Sequence, residues 1–324
     1  MAQARDMMGE AVQRWRELGN EPMLADGLTG LANWTGFGGD LPGARVRADE
    51  AYAINTRIGS PWGQAYSGAV RGLICALQGE IGAGVEALRT AISRAEEAGF
   101  IGGQVLARSF LSQILFGVGA LDEAATAAEE GLAVGRAQLP QFAGMCLGRL
   151  ARVRIAEGDL QAAAALLDDP LLEGTRQQAF VEIDVALAHI ALALGSGQPA
   201  AALARADEEA RRLEEMRGVI WRPEVLRARA HALEALGRPA EALADLVAAA
   251  DVARAAGARG MLWSHLADLV GAQTKHGDAG AAAETQRAAA AELAYVLQNT
   301  WPDDLRAALE SRKAGWQRLS ACHS

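Results

Sequence analysis

The sequence predicts an all-α fold, a right-handed α-solenoid of stacked helix–turn–helix repeats with a period of about 40 residues. Three observations support this prediction, and the first two are spacings. A glycine recurs every 39 or 40 residues, at Gly39, Gly79, Gly119, Gly158, Gly197, Gly237 and Gly277. A small residue follows each glycine by five positions, at Ala44, Gly84, Ala124, Ala163, Ala202, Ala242 and Ala282. The third observation is that no segment shows the sustained alternation typical of β-strands.

Each repeat is predicted to contain two helices. In the unit from Trp62 to Phe100, apolar residues recur at helical spacing in both halves, for example at Leu73 and Leu77 and then at Val85. The central glycine allows the left-handed backbone that ends the first helix, and the small residue lets the second helix cross it closely. A second glycine series predicts where the second helices end: Gly19, Gly59, Gly99, Gly218 and Gly257.

The repeats divide the chain into three parts. Residues 1–20 form a lone second helix of an incomplete repeat, 21–300 form seven helix pairs, and 301–324 form a closing helix and tail. Because Ala4 precedes Gly19 by 15 residues, as Ala44 precedes Gly59, the first helix lacks its partner. We therefore expect the chain to be the tail of a longer protein or to begin at an internal start. An in-frame reading of the upstream sequence tests this expectation.

Pro170 interrupts the second helix of the fourth unit, since proline lacks a backbone donor and clashes with the preceding turn. We expect a helix break near Asp169. The break represents either drift between repeats or a functional hinge.

Composition limits the partners and the compartment. The net charge of −9 argues against nucleic acid, because phosphate binding needs a basic surface. Cys75, Cys146 and Cys322 lack metal-ligand spacing and predict free thiols in a reducing, cytoplasmic compartment. The apolar stretch from Phe100 to Leu121 contains Arg108 and coincides with a first helix, so we expect a soluble protein without a membrane span.

No catalytic or cofactor motif is found in the sequence. The nucleotide-binding pattern GxxxxGK[ST] is absent around both lysines, Lys275 and Lys313. The five histidines have no metal-ligand spacing, and no nucleophile lies beside a base. We therefore expect a protein that is not an enzyme and has no cofactor or metal.

The repeat pattern resembles the tetratricopeptide repeat. That repeat combines a small residue in the first helix, a turn glycine and an alanine early in the second helix. Seven residues before the turn glycine, the first helices have a small residue at Ala32, Gly72, Ser112, Ala151 and Ala230. Two first helices have a larger residue at this position, Ile190 and Val270. The usual tryptophan, tyrosine and closing proline are mostly missing, and the usual period is about 34 residues. HEAT-type repeats, with a period near 40, are the alternative.

This longer form of the repeat is similar to the repeats of one particular group of proteins. Segments such as RELGNEPMLADGLTGLANW and LGRPAEALADLVAAADVARAAG resemble the carboxy-terminal repeat arrays of large bacterial signalling ATPases, including LuxR-family activators and multidomain adenylate cyclases. The stretch from Tyr295 to Lys313 resembles the closing helices of the cyclase-associated type. The resemblance implies a module that senses a partner or effector, with an ATPase or cyclase domain on the same parent chain. No DNA-binding helix–turn–helix of the LuxR type is recognised.

The resemblance also implies that the first helices line a concave groove. Positions 13, 10, 6 and 3 before the turn glycine share one side of a helix. The candidate groove residues are Asn33, Tyr66, Leu73, Gln113, Phe116, Met145, Arg152, Arg227 and His231. The apolar middle of the groove suits an amphipathic helix or an extended apolar peptide. Binding there would change the curvature of the superhelix and the state of a neighbouring domain.

Two other functions stay open at this point. The chain is alternatively a freestanding adaptor or assembly scaffold, and an upstream reading frame with a nucleotide-binding motif would decide against it. A nucleotide-binding regulator or an enzyme is the remaining alternative, which thermal-shift screening with nucleotides and metals tests.

Overall fold

A computed structural model describes residues 2–175 and 179–321, with side chains described for 6–173 and 182–312. Within these residues the chain forms α-helices and two short 3-10 helices, Pro170–Thr175 and Val219–Trp221, and no β-strand. The α-helices are α1 (Ala2–Glu17), α2 (Glu21–Phe37), α3 (Leu41–Arg57), α4 (Pro61–Leu77), α5 (Ile81–Glu97), α6 (Ile101–Val118), α7 (Leu121–Gln138), α8 (Pro140–Ala156), α9 (Leu160–Leu167), α10 (Ala179–Gly195), α11 (Pro199–Met216), α12 (Arg222–Ala235), α13 (Pro239–Ala255), α14 (Arg259–Lys275), α15 (Ala279–Gln298) and α16 (Asp303–Ala321).

Each helix packs against its neighbours in sequence, and each first helix also contacts the first helix of the next pair through most of the chain. The pairs begin with α2 and α3 and end with α14 and α15, with α1 before them and α16 after them. This arrangement confirms the predicted all-α solenoid of helical repeats.

The turns inside the pairs follow the sequence pattern. All seven repeat glycines have a positive φ, between 68° at Gly197 and 93° at Gly79, so each ends its first helix in the left-handed conformation. The next helix starts with a side-chain cap in several pairs. Asp40, Asp159 and Asp278 each accept a hydrogen bond from the backbone N–H three residues later, at 2.8–2.9 Å.

One member of the second glycine series differs from the others in its backbone conformation. Gly218 has a φ of −82°, and Arg217 takes the left-handed conformation instead, with a φ of 57°. Helix α11 ends at Met216, and the backbone N–H of Gly218 bonds to the carbonyl of Leu213. Gly218 therefore follows the end of its helix, as the sequence predicts, but Arg217 and not the glycine takes the left-handed conformation.

The small residues after the turns lie at the helix crossings, as predicted, and all seven are buried. The crossing of α4 and α5 shows the steric reason. A Cβ placed on Gly84 would lie 2.8 Å from the carbonyl oxygen of Gly72 and 2.8 Å from the Cβ of Ala76. A larger side chain would therefore separate the two helices.

Three further expectations can be compared with the structure. Helix α9 ends at Leu167 and a 3-10 turn follows from Pro170, which confirms the predicted break near Asp169. Cys75 and Cys146 are buried free thiols, as predicted, whereas Cys322 lies outside the described residues. Burial raises the pKa of the Cys146 thiol to about 12, so this thiol is inert at neutral pH.

Helix α6 has the length and composition of a membrane-spanning helix, and among the described residues it alone has them. However, 61% of this segment is buried inside the protein. Such burial is typical of the core helix of a soluble protein. Arg108, near its middle, pairs with Glu96 at 2.5 Å and with Glu130 at 3.2 Å.

The superhelix winds tightly enough for its last repeats to contact its first. Helix α14 contacts α4, the 3-10 turn before α12 contacts α2, and α16 contacts α6. The backbone N–H of Gly82 donates to the carbonyl of Asn299 at 2.9 Å. Arg312 donates to the carbonyl oxygens of Phe116, at 3.2 Å and 196 residues away in sequence, and of Gly117. These contacts partly enclose the inner face of the solenoid.

Candidate functional site

The enclosed inner face contains a cavity of about 650 Å³. Every one of the seven first helices contributes to its wall, which is the arrangement expected of the concave face of a helical solenoid. One lining residue from each helix, in chain order, is Asn33, Tyr66, Gln113, Met145, Asp184, Glu224 and Met261. The cavity therefore depends on the winding of the whole array and not on any single repeat.

Most of the cavity wall is apolar. Aliphatic residues such as Leu73, Ile74 and Leu106 alternate with aromatic rings. The rings of Phe37 and Trp221, which come from opposite ends of the array, pack with their centroids 4.6 Å apart. The aromatic lining residues are Trp34, Phe37, Tyr66, Phe100, Phe110, Phe142 and Trp221. Such a wall favours apolar and aromatic ligands because it gains from burying their surface.

One region of the wall is polar. We define the polar cluster as Gln113, Arg149, Asp184 and Glu224, which line the cavity, together with Arg152 beside them; its members come from four consecutive first helices. The Arg149 Nη2 atom donates to Gln113 Oε1 at 2.8 Å and lies 2.8 Å from Asp184 Oδ1. The Arg152 Nη1 atom donates to Glu224 Oε2 at 3.1 Å. Each charge in the polar cluster therefore has an opposite charge beside it.

The electrostatics of the polar cluster follow from its depth. Burial on its own would raise the pKa of Glu224, but Arg152 and Arg149 outweigh burial and lower this pKa to about 2. Burial raises the pKa of Asp184, against the opposing effect of Arg149. Burial lowers the pKa of Arg149, and the charge of Asp184 opposes this effect. Glu224 is therefore ionised inside the cavity wall.

Five of the nine predicted groove residues line the cavity: Asn33, Tyr66, Leu73, Gln113 and Met145. Asn33 Nδ2 donates to the Tyr66 hydroxyl at 3.4 Å, and burial raises the pKa of that hydroxyl. The structure therefore brings together the residues from the first four predicted pairs. Whether they bind a partner stays a prediction.

The other four predicted residues lie beside the cavity and not in its wall. The Arg152 guanidinium stacks over the Phe116 ring at 5.0 Å from its centroid. Further along the inner face, Arg227 pairs with Asp268, and His231 Nε2 lies 3.1 Å from the same carboxylate. The side chain of Arg152 points to Glu224 on α12, and that of Arg227 points to Asp268 on α14. Both arginines therefore lie outside the cavity wall.

Several cavity residues were missed by the sequence prediction. Arg149 is one turn after Met145, outside the predicted stripe, and its side chain is only 7% exposed. Phe100 and Phe142 lie at the starts of α6 and α8, where a stripe through the helix middle does not reach. Trp221 belongs to the 3-10 turn. In the sequence, the aromatic residues near the starts of the first helices were the feature that could have indicated these cavity residues.

No group of three or more residues able to hold a metal ion occurs in the part of the chain that the structure describes. His265, buried near the polar cluster, is hydrogen-bonded through Nδ1 to the Met261 carbonyl at 2.8 Å. Burial, followed by the nearby Arg227, lowers its pKa, so this histidine is neutral at physiological pH.

The fold and the site together define an α-solenoid of helical repeats with a partly enclosed inner cavity. Comparison with models of protein families finds no match for this chain. Comparison with curated proteins also finds no match.

Proposed function

We propose that this chain is a non-catalytic effector-sensing module that binds a small, mainly apolar molecule in its inner cavity. The observation that carries the proposal is the partly enclosed cavity of about 650 Å³, with apolar walls and a few polar groups. Small-molecule sites usually have volumes of roughly 300–1,000 Å³ and this same mixture of wall and polar groups.

The volume of about 650 Å³ lies within the range of small-molecule sites, which supports a small molecule as the ligand. A short extended peptide of apolar residues has a suitable size, and it is one of the ligands to be tested.

The proposed context is a bacterial, cytoplasmic signalling protein. The resemblance to the repeat arrays of signalling ATPases and adenylate cyclases supports this part, and the buried free thiols fit a reducing compartment. Because the cavity wall includes all seven first helices, a ligand that fits one curvature better than another shifts the curvature of the superhelix. A neighbouring ATPase or cyclase domain would detect that shift.

The experiment is a fluorescence titration with the neutral apolar dye N-phenylnaphthylamine. We expect saturable binding of one dye per chain, and binding at least about tenfold weaker in Leu106→Trp, because the larger ring fills the cavity. Val247→Trp is the matched control, since Val247 is exposed on α13 and does not line the cavity. Absence of saturable binding, or equal weakening in both variants, would contradict the proposal.

A further inference from the structure

The charges of the polar cluster leave no unpaired charge for an ionic ligand. Arg149 is paired with Asp184 at 2.8 Å and Arg152 with Glu224 at 3.1 Å. The next arginine along the inner face, Arg227, is paired with Asp268. An ionic head placed here would lose its hydration without gaining a free counter-charge, which is costly at this depth. The polar cluster therefore favours an uncharged head. Arg312, which has no carboxylate partner among the described residues and donates to the carbonyls of Phe116 and Gly117, does not line the cavity.

Among the atoms of this cluster that have no partner in the described part of the chain, Arg149 Nε is fully buried, whereas Gln113 Nε2 and Glu224 Oε1 belong to side chains that line the cavity. Gln113 Oε1 accepts from Arg149, which has no acceptor of its own, so the orientation of the Gln113 amide is fixed. Its Nε2 group has no acceptor among the described residues. Glu224 Oε2 accepts a hydrogen bond from Arg152, whereas Glu224 Oε1 has no donor among the described residues. Arg149 lies close enough to Glu224 to lower its pKa, so the two free atoms belong to one region.

Both side chains border cavity space. Gln113 and Glu224 line the main cavity and also a neighbouring space of about 70 Å³ that extends toward Trp263 and Leu309. The side chain of Glu224 keeps 26% of its surface exposed. A ligand head in this region therefore meets one donor, the Gln113 amide N–H, and one acceptor, the Glu224 carboxylate.

We propose that the ligand is an uncharged amphiphile with an apolar chain and a secondary amide head, whose carbonyl accepts from Gln113 and whose N–H donates to Glu224. This inference rests on the proposed function, because it assigns the ligand class of the same cavity. The apolar chain lies against the aromatic and aliphatic wall. An acyl amide and the backbone of a short apolar peptide share this chemistry.

The test is displacement of bound N-phenylnaphthylamine by four probes that share a ten-carbon chain. N-methyldecanamide donates and accepts, N,N-dimethyldecanamide only accepts, and decanoate and decylammonium are charged. We expect N-methyldecanamide to displace the dye at a concentration about tenfold lower than each of the other three. Acetyl-leucyl-leucine N-methylamide, tested beside them, identifies the source as a peptide if it displaces the dye at a still lower concentration.

The variant Glu224→Gln tests the assigned acceptor. Its amide oxygen turns toward Arg152, so its NH₂ group faces the N–H of the ligand, and the preference for N-methyl over N,N-dimethyldecanamide falls to about one. Glu234→Gln on the same helix is the matched control, because Glu234 pairs with Lys275 and does not line the cavity. We expect the control to keep the tenfold preference.

The outcomes separate the two proposals. If the dye binds but all four heads displace it equally, or if either ion displaces it best, the amide head is wrong and the binding function stands. If Glu224→Gln keeps the full preference for N-methyldecanamide, the assigned acceptor is wrong. If the dye itself does not bind, the proposed function fails and this inference fails with it.

Discussion

Arg149 and Asp184 place opposite charges inside the cavity wall, each with a side chain only 7% exposed. Burial lowers the pKa of the arginine and raises the pKa of the aspartate, so each charge depends on the other. A buried ion pair of this kind adds little net stability, but either partner alone is an uncompensated buried charge. The pair therefore sets the polarity of the site more than the stability of the fold.

This dependence gives a prediction for the pair. Arg149→Met should reduce the free energy of unfolding by about 3–5 kcal/mol, because Asp184 loses its partner. The double variant Arg149→Met/Asp184→Leu should recover most of the loss, since no charge then remains buried alone. Urea unfolding of the wild type, both single variants and the double variant measures the effect. Additive losses in the double variant would show that the two charges are not coupled.

At the scale of the helix pair, the sequence could predict most of the structure. The turn glycines and the small residues five positions later act locally, so their spacing was enough to place the helix pairs and their crossings. The helix break before Pro170 was likewise a local property. The left-handed residue at Arg217 could not be predicted, because it depends on the 3-10 turn that packs Ile220 and Trp221 against other repeats.

Contacts between distant helices are also sensitive to single residues. Gly260, at the start of α14, faces the backbone of α4, and a Cβ added there would lie 2.2 Å from the carbonyl oxygen of Ala76. Because backbone cannot move as easily as a side chain, Gly260→Ala should separate the two helices. We expect a loss of roughly 1–3 kcal/mol in the free energy of unfolding.

Gly271 is the matched control for this prediction. It lies in the same helix, and a Cβ added there would meet nothing within 4 Å. Gly271→Ala should raise the free energy of unfolding by about 0.5–1 kcal/mol, because alanine favours the helix. Thermal unfolding of both variants measures the difference. Equal effects at the two positions would show that α14 does not pack closely on α4.

At the scale of the whole molecule, the number of repeats was predictable and their winding was not. The 40-residue period predicts that each repeat packs against the repeats before and after it in the chain. Whether the first and last repeats meet depends on the small rotation between successive repeats. That rotation places Trp221 beside Phe37 and Glu224 in the same wall as Gln113. For this reason five of the predicted groove residues line the cavity, whereas Arg149 and the aromatic residues at the helix starts were missed.

The closed winding can be measured directly by cross-linking the third repeat to the last helix. A Cβ on Gly119 would lie 3.7 Å from the Cβ of Arg312, close to the roughly 3.8 Å that is typical of a disulfide. The variant is Gly119→Cys/Arg312→Cys. Gly158→Cys/Arg312→Cys is the control, because Gly158 has a similar φ, 87° against 90°, and a Cβ there meets nothing within 4 Å.

Mild oxidation followed by peptide mass spectrometry identifies which cysteines are joined. A closed superhelix predicts that the 119–312 disulfide forms in most chains, that the control pair does not join, and that the cross-linked protein still binds N-phenylnaphthylamine. Absence of the 119–312 disulfide, or its formation at the level of the control, would show that the inner face is open and that the cavity does not exist in solution.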